Sequence, residues 1–161
     1  MPYNPIAAAL RGENPYVMAR MRSGFAVIGD TQFLPGYSVL LTDDPDLDHP
    51  TDLPWVARRD FFFDLSLLGE AVLNATRDAG ALRVNYEVLG NTWHHLHGHV
   101  HPRYDWEPPD RLAVPIWRYP DELRHAPEHE YDDERHGELR ALITDELERV
   151  MRDAYAELDP S

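Results

Sequence analysis

Residues 94–103 read His94-His95-Leu96-His97-Gly98-His99-Val100-His101-Pro102-Arg103, and they hold five of the nine histidines of the chain. Four of these histidines, at positions 95, 97, 99 and 101, stand at every second residue. Successive side chains of a β-strand point to opposite faces, so the alternation predicts a strand with one face of imidazoles. Imidazole changes its charge near neutral pH, so this face is suited to nucleophilic, proton-transfer or metal chemistry.

The histidine row is compatible with two kinds of chemistry. Alternate residues lie roughly 6.6 Å apart along a strand, so two neighbours can bind one metal ion, whereas three span about 13 Å. A metal site would therefore need a further ligand, and the nearest acid is Asp105. Alternatively, one neutral imidazole attacks phosphorus while its neighbours contact the anion, and the alternation fits this use better. A surface strand with chance histidines is the plain structural alternative.

Composition restricts the class of protein. The chain has 161 residues, which predicts one domain, and no cysteine, which excludes disulfides, zinc-thiolate sites and thiol catalysis. A net charge of −14 argues against a nucleic-acid duplex as a partner. No apolar run approaches the ~20 residues of a membrane span, and the first ten residues lack a signal-peptide pattern. We therefore expect a cytoplasmic protein with no membrane partner.

Hydrophobic periodicity predicts an α+β fold around the histidine strand. Apolar spacings of three and four predict a long helix from Trp55 to about Asp78 and a last helix over about 134–158. Alternation and turn signals predict further strands over residues 17–21, 24–28, 37–42 and 82–89. We expect an antiparallel sheet of about five strands with the long helix packed on it and an additional C-terminal helix.

Two regions near the histidine strand receive separate predictions. The turn Gly90-Asn91 predicts an antiparallel hairpin between residues 82–89 and the histidine strand. Beyond an irregular stretch over 102–109, residues 112–117 are predicted to form a further strand or an edge segment. Residues 120–135 are rich in Pro, Asp, Glu and His, which is typical of a solvated loop.

The run from His95 to Arg103 resembles the signature of the histidine-triad (HIT) superfamily, which is His-x-His-x-His, two further residues and often Pro-Arg. Upstream, residues 24–36 are similar to that family's strand, acidic or amide residue (here Asp30) and Pro-Gly turn. The resemblance covers roughly residues 17–106. It implies a single HIT-like domain over residues 1–161, with a core of about 17–106 and a C-terminal extension that contains the last helix.

The resemblance implies a hydrolase that cleaves a nucleotide at its α-phosphate through a covalent nucleotidyl-histidine intermediate. His97 would be the nucleophile, and His95 and His99 would position it and bind phosphate oxygens. Dinucleoside polyphosphates are the first expected substrates, followed by nucleoside phosphoramidates. The alternatives are a nucleotidyl transferase or phosphorylase, and a non-catalytic module that binds a nucleotide or a metal.

Five further residues are expected at the substrate. By the resemblance, Asp30 would bind the ribose hydroxyls, because a carboxylate accepts hydrogen bonds from both hydroxyls of a diol. Asn85 would contact the substrate, and Thr92 the phosphate or the leaving group. Arg103 could bind phosphate. His101, which replaces an apolar residue of the family, could extend the phosphate site or pack as a structural histidine.

The remaining expectations concern the base, the metal and the oligomer. Phe25, Val27, Phe33 and Leu34 form either an apolar pocket for the base or ordinary core. The resemblance implies that no metal is required at the nucleophile, although Mg²⁺ could accompany a polyphosphate substrate. Members of the family are commonly dimers, so we expect a homodimer.

Overall fold

The centre of the fold is an antiparallel sheet of five strands in the order β1-β2-β3-β5-β4. The computed structural model describes residues 3–160. Its strands are β1 (Val17–Arg20), β2 (Gly24–Ile28), β3 (Ser38–Thr42), β4 (Ala81–Glu87) and β5 (His97–Tyr104). All neighbouring strands pair antiparallel, and the hairpin of β4 with β5 is confirmed. The histidine strand β5 therefore lies inside the sheet, between β3 and β4.

Five α-helices accompany the sheet: α1 (Pro5–Leu10), α2 (Trp55–Thr76), α3 (Pro109–Leu112), α4 (Asp121–Arg124) and α5 (Asp133–Leu158). The long helix α2 buries its apolar side on the sheet, and α5 packs against α2 in the same core. Both long helices and the α+β fold class are confirmed. No helix between residues 3 and 160 is long and apolar enough to span a membrane.

A buried carboxylate connects α5 to the sheet. Asp64 of α2 is fully buried and accepts hydrogen bonds from the backbone N–H and the hydroxyl of Ser23, both at 2.7 Å. The hydroxyl of Tyr155, in α5, donates to the other carboxylate oxygen at 2.6 Å. Because buried polar groups are costly unless they are paired, this arrangement holds the C-terminal helix in one position.

Gly98 explains how α2 reaches the back of the histidine strand. Its α-carbon faces α2, and a β-carbon at this position would lie 2.6 Å from Cδ1 of Leu65. The adjacent histidines point to the opposite face, as the alternation predicts. The glycine therefore allows close helix–sheet packing directly behind the imidazoles.

The histidine strand is displaced from its predicted position. It begins at His97 and continues to Tyr104, so His95 lies in the preceding loop and Pro102 lies within the strand. Strand β3 pairs with β5 only as far as Val100. Pro102 thus lies where β5 has no neighbour on that side, and its missing N–H costs no hydrogen bond there. The prediction that residues 102–109 are irregular is wrong for their first three residues.

The strand or edge segment expected over residues 112–117 is not present, and that prediction is wrong. Helix α3 ends at Leu112, and a 3-10 turn occupies Ile116–Arg118 after Pro115. Proline lacks a backbone donor and disfavours a ladder at this point. The side chain of Ile116 is buried in a small core with Leu34 and Tyr104.

Residues 105–132, which we name the cover segment, cross the histidine face of the sheet. The solvated loop predicted over 120–135 is replaced by α4, a 3-10 turn at Pro127–His129 and the start of α5. This part is attached to residues 30–32: the hydroxyl of Thr31 donates to the Arg124 carbonyl at 2.6 Å, and the N–H of Gln32 donates to the His129 carbonyl at 2.6 Å. The cover segment is therefore held by long-range contacts.

Candidate functional site

Three histidines of β5 form the centre of the candidate site. His97, His99 and His101 are 7%, 9% and 5% exposed, and their side chains share one face of the sheet. The ring centroids of His97 and His99 are 4.7 Å apart, and those of His99 and His101 are 5.9 Å apart. The row is thus a continuous, largely desolvated strip of imidazoles.

His97 is oriented by the backbone of the preceding loop. Its Nδ1 lies 2.6 Å from the carbonyl oxygen of His95, so Nδ1–H is the donor and Nε2 keeps its lone pair. Burial lowers the pKa of His97, and the neighbouring His95 acts in the same direction, although the bond to the His95 carbonyl opposes them. His97 is therefore a neutral imidazole near pH 7 with Nε2 available to attack.

His95 supports His97 from outside the strand. Its own Nδ1 donates to the carbonyl oxygen of Pro45 at 2.7 Å. The indole of Trp93 lies 4.8 Å, between ring centroids, from both His95 and His97. The structure places His95 beside the nucleophile candidate, where its carbonyl rather than its ring makes the observed contact with His97.

His99 is held neutral in the middle of the row. Burial, together with the adjacent His97 and His101, lowers its pKa to about 3. Its Nδ1 lies 2.8 Å from the hydroxyl of Tyr37, and burial raises the pKa of that phenol. With the neutral phenol donating to Nδ1, the Nε2 of His99 carries the ring proton and can donate it to an anion.

His101 has a partner that the sequence did not reveal. Its Nδ1 lies 2.8 Å from a carboxylate oxygen of Glu87, and both side chains are largely buried. Tyr37 stacks on the His101 ring at 4.2 Å with an interplanar angle of 2°. Alternation in β4 places Glu87 on one face with Asn85, and the β4–β5 register then brings that face beside the histidines. The sequence alone did not give this register, so the pairing of Glu87 with His101 was not predicted.

Two cavities flank the histidine row and share His97, His99, Tyr37, Trp93 and Asp30. The strand-side cavity, of about 320 Å³, is also lined by Val27, Ile28, Val39 and Leu41 from β2 and β3, and by N-terminal residues including Tyr16. The tail-side cavity, of about 440 Å³, is also lined by His101 and Thr92, and by Ile116, Trp117, Arg124 and His125 of the cover segment.

The predicted substrate residues separate into two groups. Asp30 lines both cavities, and Thr92 and His101 line the tail-side cavity. Asn85 and Arg103 lie outside both, beyond the end of the row at which the cover segment begins. The structure therefore brings three of these five residues together with the triad and leaves two apart.

Arg103 is occupied by other contacts. It is 1% exposed, and its guanidinium donates to both carboxylate oxygens of Glu107, with Nη2–Oε2 at 2.9 Å. It also donates to the amide oxygen of Asn85 at 2.9 Å and to the carbonyls of Arg111 and Val114 at 2.8 and 2.7 Å. We name Arg103 and its acceptors, which are the side chains of Glu107 and Asn85 and the carbonyls of Arg111 and Val114, the Arg103 cluster. It anchors the first part of the cover segment to β5.

The expected apolar pocket is divided between the cavities. Val27 lines the strand-side cavity, whereas Phe33 and Leu34 line the tail-side cavity. Phe25 lines neither, and the guanidinium of Arg20 lies 4.6 Å above its ring. Sequence reasoning also missed Trp117 and Arg124, because no periodic pattern marks the segment that carries them.

A metal ion at the site would require a group of side chains that could bind it. Within residues 3–160, no group of three or more His, Asp or Glu side chains converges so as to hold a metal ion. His97 and His101 each use Nδ1 for a hydrogen bond within the protein. What these side chains present to the cavities is a row of ring nitrogens suited to a phosphoryl group.

Solved structures with the same architecture are histidine-triad proteins. A histidine triad (HIT) protein from Sinorhizobium meliloti 1021 has a TM-score of 0.67 and 19% identity, over 81% of this chain and 87% of that one. A hypothetical histidine triad nucleotide-binding protein from Sulfolobus tokodaii has a TM-score of 0.66 and 13% identity, over 90% and 91%. A Zn-bound histidine triad family protein from Mycobacterium smegmatis has a TM-score of 0.55 and 19% identity, over 89% and 91%.

These likenesses identify the fold as that of a HIT-like domain protein, as the triad signature implies. No protein-family model matches the chain, and no curated protein matches it. The identities are low, so the comparison concerns the fold, and the chemistry has to be argued from the residues of this chain.

Proposed function

We propose that this protein is a hydrolase that cleaves nucleotides at the α-phosphate through a covalent nucleotidyl-His97 intermediate. The observation that carries the proposal is the setting of His97. Its Nδ1–H is committed to the His95 carbonyl at 2.6 Å, its ring is neutral, and it lines both cavities. A nucleophilic imidazole requires this combination of a fixed tautomer and a free second nitrogen.

The reaction proceeds in two displacements at phosphorus. Nε2 of His97 attacks the α-phosphorus, an N–P bond forms, and the bond to the leaving group breaks with its electron pair on the leaving atom. Water then attacks the same phosphorus and loses a proton to solvent, the N–P bond breaks with its electron pair on Nε2, and the nucleoside monophosphate is released with His97 neutral again. The Nε2–H of His99 supplies a hydrogen bond to a phosphoryl oxygen in both steps.

The nucleoside fits the strand-side cavity in this proposal. Val27, Val39 and Leu41 offer apolar walls for a base, and the Asp30 carboxylate at the rim can accept hydrogen bonds from both ribose hydroxyls. One structural neighbour is described as nucleotide-binding, which supports a ligand of this class. Dinucleoside polyphosphates are the first substrates to test, and nucleoside phosphoramidates the second.

Rapid-quench mass spectrometry with a labelled dinucleoside polyphosphate tests the proposal. We expect a nucleotidyl adduct on His97 and a loss of turnover of at least about 10³-fold in His97→Ala. His94→Ala is the matched control, because His94 lies in the loop just before His97, is exposed, lines neither cavity and has its Nδ1 3.7 Å from Asp48. Full turnover by His97→Ala, or an adduct on another residue, would show that the mechanism is wrong.

Product analysis separates hydrolysis from nucleotidyl transfer. In the proposed reaction water is the acceptor, so the yield of nucleoside monophosphate does not change when inorganic phosphate or a sugar phosphate is added. A new nucleotidyl product in the presence of either acceptor would replace the hydrolase with a transferase or phosphorylase.

No bound metal is needed in this mechanism, and Mg²⁺ enters only with a polyphosphate substrate. The imidazoles and their hydrogen-bond partners supply the donors around phosphorus. Elemental analysis and turnover of a phosphoramidate after chelation test this point. Stoichiometric Zn, Fe or Mn whose removal abolishes turnover would contradict it.

A homodimer through the β4 edge is part of the proposal. Strand β4 is the last strand of the sheet on its side, and Leu82 and Tyr86 on it are about half exposed. Phe62 on the neighbouring helix α2 is 45% exposed as well. Light scattering after size exclusion is expected to give a dimer mass, and Leu82→Arg a monomer mass. A monomer for the unmodified protein would exclude this assembly.

A further inference from the structure

We propose that the tail-side cavity is a subsite for an anionic, phosphate-bearing leaving group, held by Arg124 and His101. The inference rests on the proposed function and narrows its substrate class. It favours nucleotides whose leaving group carries phosphate, such as dinucleoside polyphosphates, over phosphoramidates with neutral amine leaving groups.

Arg124 is placed to meet an anion next to the triad. Its side chain is 13% exposed, and the guanidinium carbon lies 5.0 Å from the centre of the Trp117 ring. Nη2 donates to Asp121 at 2.7 Å and Nε to the Tyr119 carbonyl at 3.4 Å. Nη1 makes no hydrogen bond to any residue between 3 and 160, and it is not among the fully buried polar atoms that lack a partner. An arginine so fixed has a donor left for phosphate oxygen.

Trp117 connects Arg124 to the histidines. The indole ring lies 5.3 Å from His99 and 5.4 Å from His101, between ring centroids, in edge-to-face geometry with both. The same ring lies under the guanidinium of Arg124. One rigid side chain therefore sets the spacing between the arginine and the imidazole row, which keeps the cavity preorganised.

His101 supplies the second contact. Its Nδ1 is bound to the Glu87 carboxylate, so Nε2 is the nitrogen left for the cavity that His101 lines. Nδ1–H donates to Glu87, and a proton shared between Nε2 and a phosphate oxygen makes the contact with the leaving group. This contact explains why His101, two residues after His99 and on the same face of β5, is a histidine paired with a carboxylate.

Charge distribution supports an anion on this side of the row. The chain carries −14 overall, and all fifteen of its basic residues are arginines. Within the part of the chain that the structure describes, Arg124 is the arginine that lines a cavity beside the triad, and the strand-side cavity has none. In a strongly acidic protein, a positive group beside the reacting centre is a local exception that selects an anion there.

Nucleotide binding without turnover provides the direct test. In His97→Ala, calorimetry without Mg²⁺ compares a nucleoside monophosphate with the matching triphosphate. We expect the triphosphate to bind at least about tenfold more tightly, because an added charge-assisted contact contributes about 1.5–3 kcal/mol. Adding Arg124→Met is expected to bring the two dissociation constants within about threefold, and Arg124→Lys to retain part of the difference.

Arg118→Met is the matched control. Arg118 lies in the same segment, is exposed and lines neither cavity, so this change is expected to keep the tenfold preference. His101→Asn provides a second variant that leaves the arginine in place and should reduce the preference. A preference for triphosphate that survives both Arg124→Met and His101→Asn would overturn the subsite.

Kinetics separate the failure of this inference from failure of the proposed function. The ratio of kcat/KM for a dinucleoside tetraphosphate to that for a neutral-amine phosphoramidate is expected to fall about tenfold in Arg124→Met. An unchanged ratio, with a His97 adduct still formed, would refute the subsite alone. Absence of both nucleotide binding and adduct would refute the proposed function and the subsite with it.

Discussion

The strand-side and tail-side cavities flank the same histidines but are built in different ways. Paired strands β2 and β3 supply the branched aliphatic side chains of the strand-side cavity, with Val27 and Val39 directly opposite each other in the register. The tail-side cavity is closed by short turns of the cover segment, including Trp117 and Arg124, together with loop residues 30–34 and 89–93. Both cavities contain the Asp30 carboxylate; the strand-side cavity adds mainly apolar side chains, whereas the tail-side cavity adds an arginine and further imidazoles.

In the proposed function, the contrast assigns two recognition tasks to the two sides of one histidine row. A cavity made by a sheet is held by backbone hydrogen bonds, so its shape follows from the fold itself. A cavity made by a loop segment depends on side-chain anchors, here the Arg103 cluster and the contacts of residues 30–32. The following predictions test whether the two cavities can be disturbed separately.

The largest effect is expected from Arg103→Met. The change leaves the Glu107 carboxylate buried without its cation, which costs about 3–5 kcal/mol of unfolding free energy. Denaturant unfolding measures the loss. Because the cover segment is anchored here, the preference for triphosphate should disappear while monophosphate affinity in the folded protein is largely kept.

The double variant Arg103→Met/Glu107→Leu controls for this interpretation. It removes both charges, so it should recover part of the lost unfolding free energy. Equal losses of affinity for both nucleotides in the single variant would show that the cavities are not independent.

Acid should weaken the fold through His99, which both cavities share. Its pKa is about 3 in the folded protein and 6.5 in the unfolded chain, so the unfolded state binds the extra proton between these values. The stabilising contribution is complete above pH 6.5 and is lost as pH falls towards 3, with a slope of up to about 1.4 kcal/mol per pH unit.

Unfolding free energies of the protein and of His99→Gln, measured between pH 7 and 4.5, isolate this proton. The carboxylates contribute equally to both proteins, so the variant should show the shallower pH dependence. Parallel curves would contradict the neutral, desolvated state assigned to His99. The acid limb of kcat/KM should likewise fall below pH 6.5, because burial lowers the pKa of His97.

Asp30→Asn should affect recognition of the ribose. The amide accepts a weaker hydrogen bond than the carboxylate, so we expect binding of a ribonucleoside monophosphate to weaken about tenfold. The matching 2′,3′-dideoxy compound lacks the hydroxyls and serves as the control ligand, with an expected change under about twofold. A similar loss for both compounds would place the carboxylate at some other part of the nucleotide.

The smallest effect is expected from Tyr155→Phe in α5. The change removes one hydrogen bond to the buried Asp64, while Ser23 still donates twice to that carboxylate. Thermal or denaturant unfolding should show a loss of about 1 kcal/mol. Nucleotide affinities should be unchanged, because Tyr155 lines neither cavity. A changed affinity would show that α5, and not only the cover segment, affects nucleotide binding.

Residue periodicity in the sequence predicted the regular strands and helices of the fold. Alternation in β5 and spacings of three and four in α2 correspond to periods of the backbone, so the histidine face and the long helix could be read from the sequence. The order of those elements then indicated the α+β sheet. Asp30 and Thr92 lie at a cavity, and the contacts with substrate that the resemblance implies for them stay a prediction.

The rest depended on contacts between distant residues. Nothing in the sequence around Arg103 shows that Glu107, Asn85 and two backbone carbonyls of the cover segment saturate its guanidinium. Pairing of Glu87 with His101 requires the exact β4–β5 register, which a turn signal alone does not determine. Arg124 reaches the site because short, proline-limited turns fold across the sheet, and such turns have no period to detect.

The attachment of the cover segment to residues 30–32 has a consequence for the order of assembly. The bond from Thr31 to the Arg124 carbonyl joins residues 93 positions apart, and the entropy of closing so long a loop must be met before the contact forms. During synthesis, the strands that surround His97 leave the ribosome before the residues that complete the tail-side wall. A nascent chain can therefore form the strand of the proposed nucleophile before it forms the proposed leaving-group subsite.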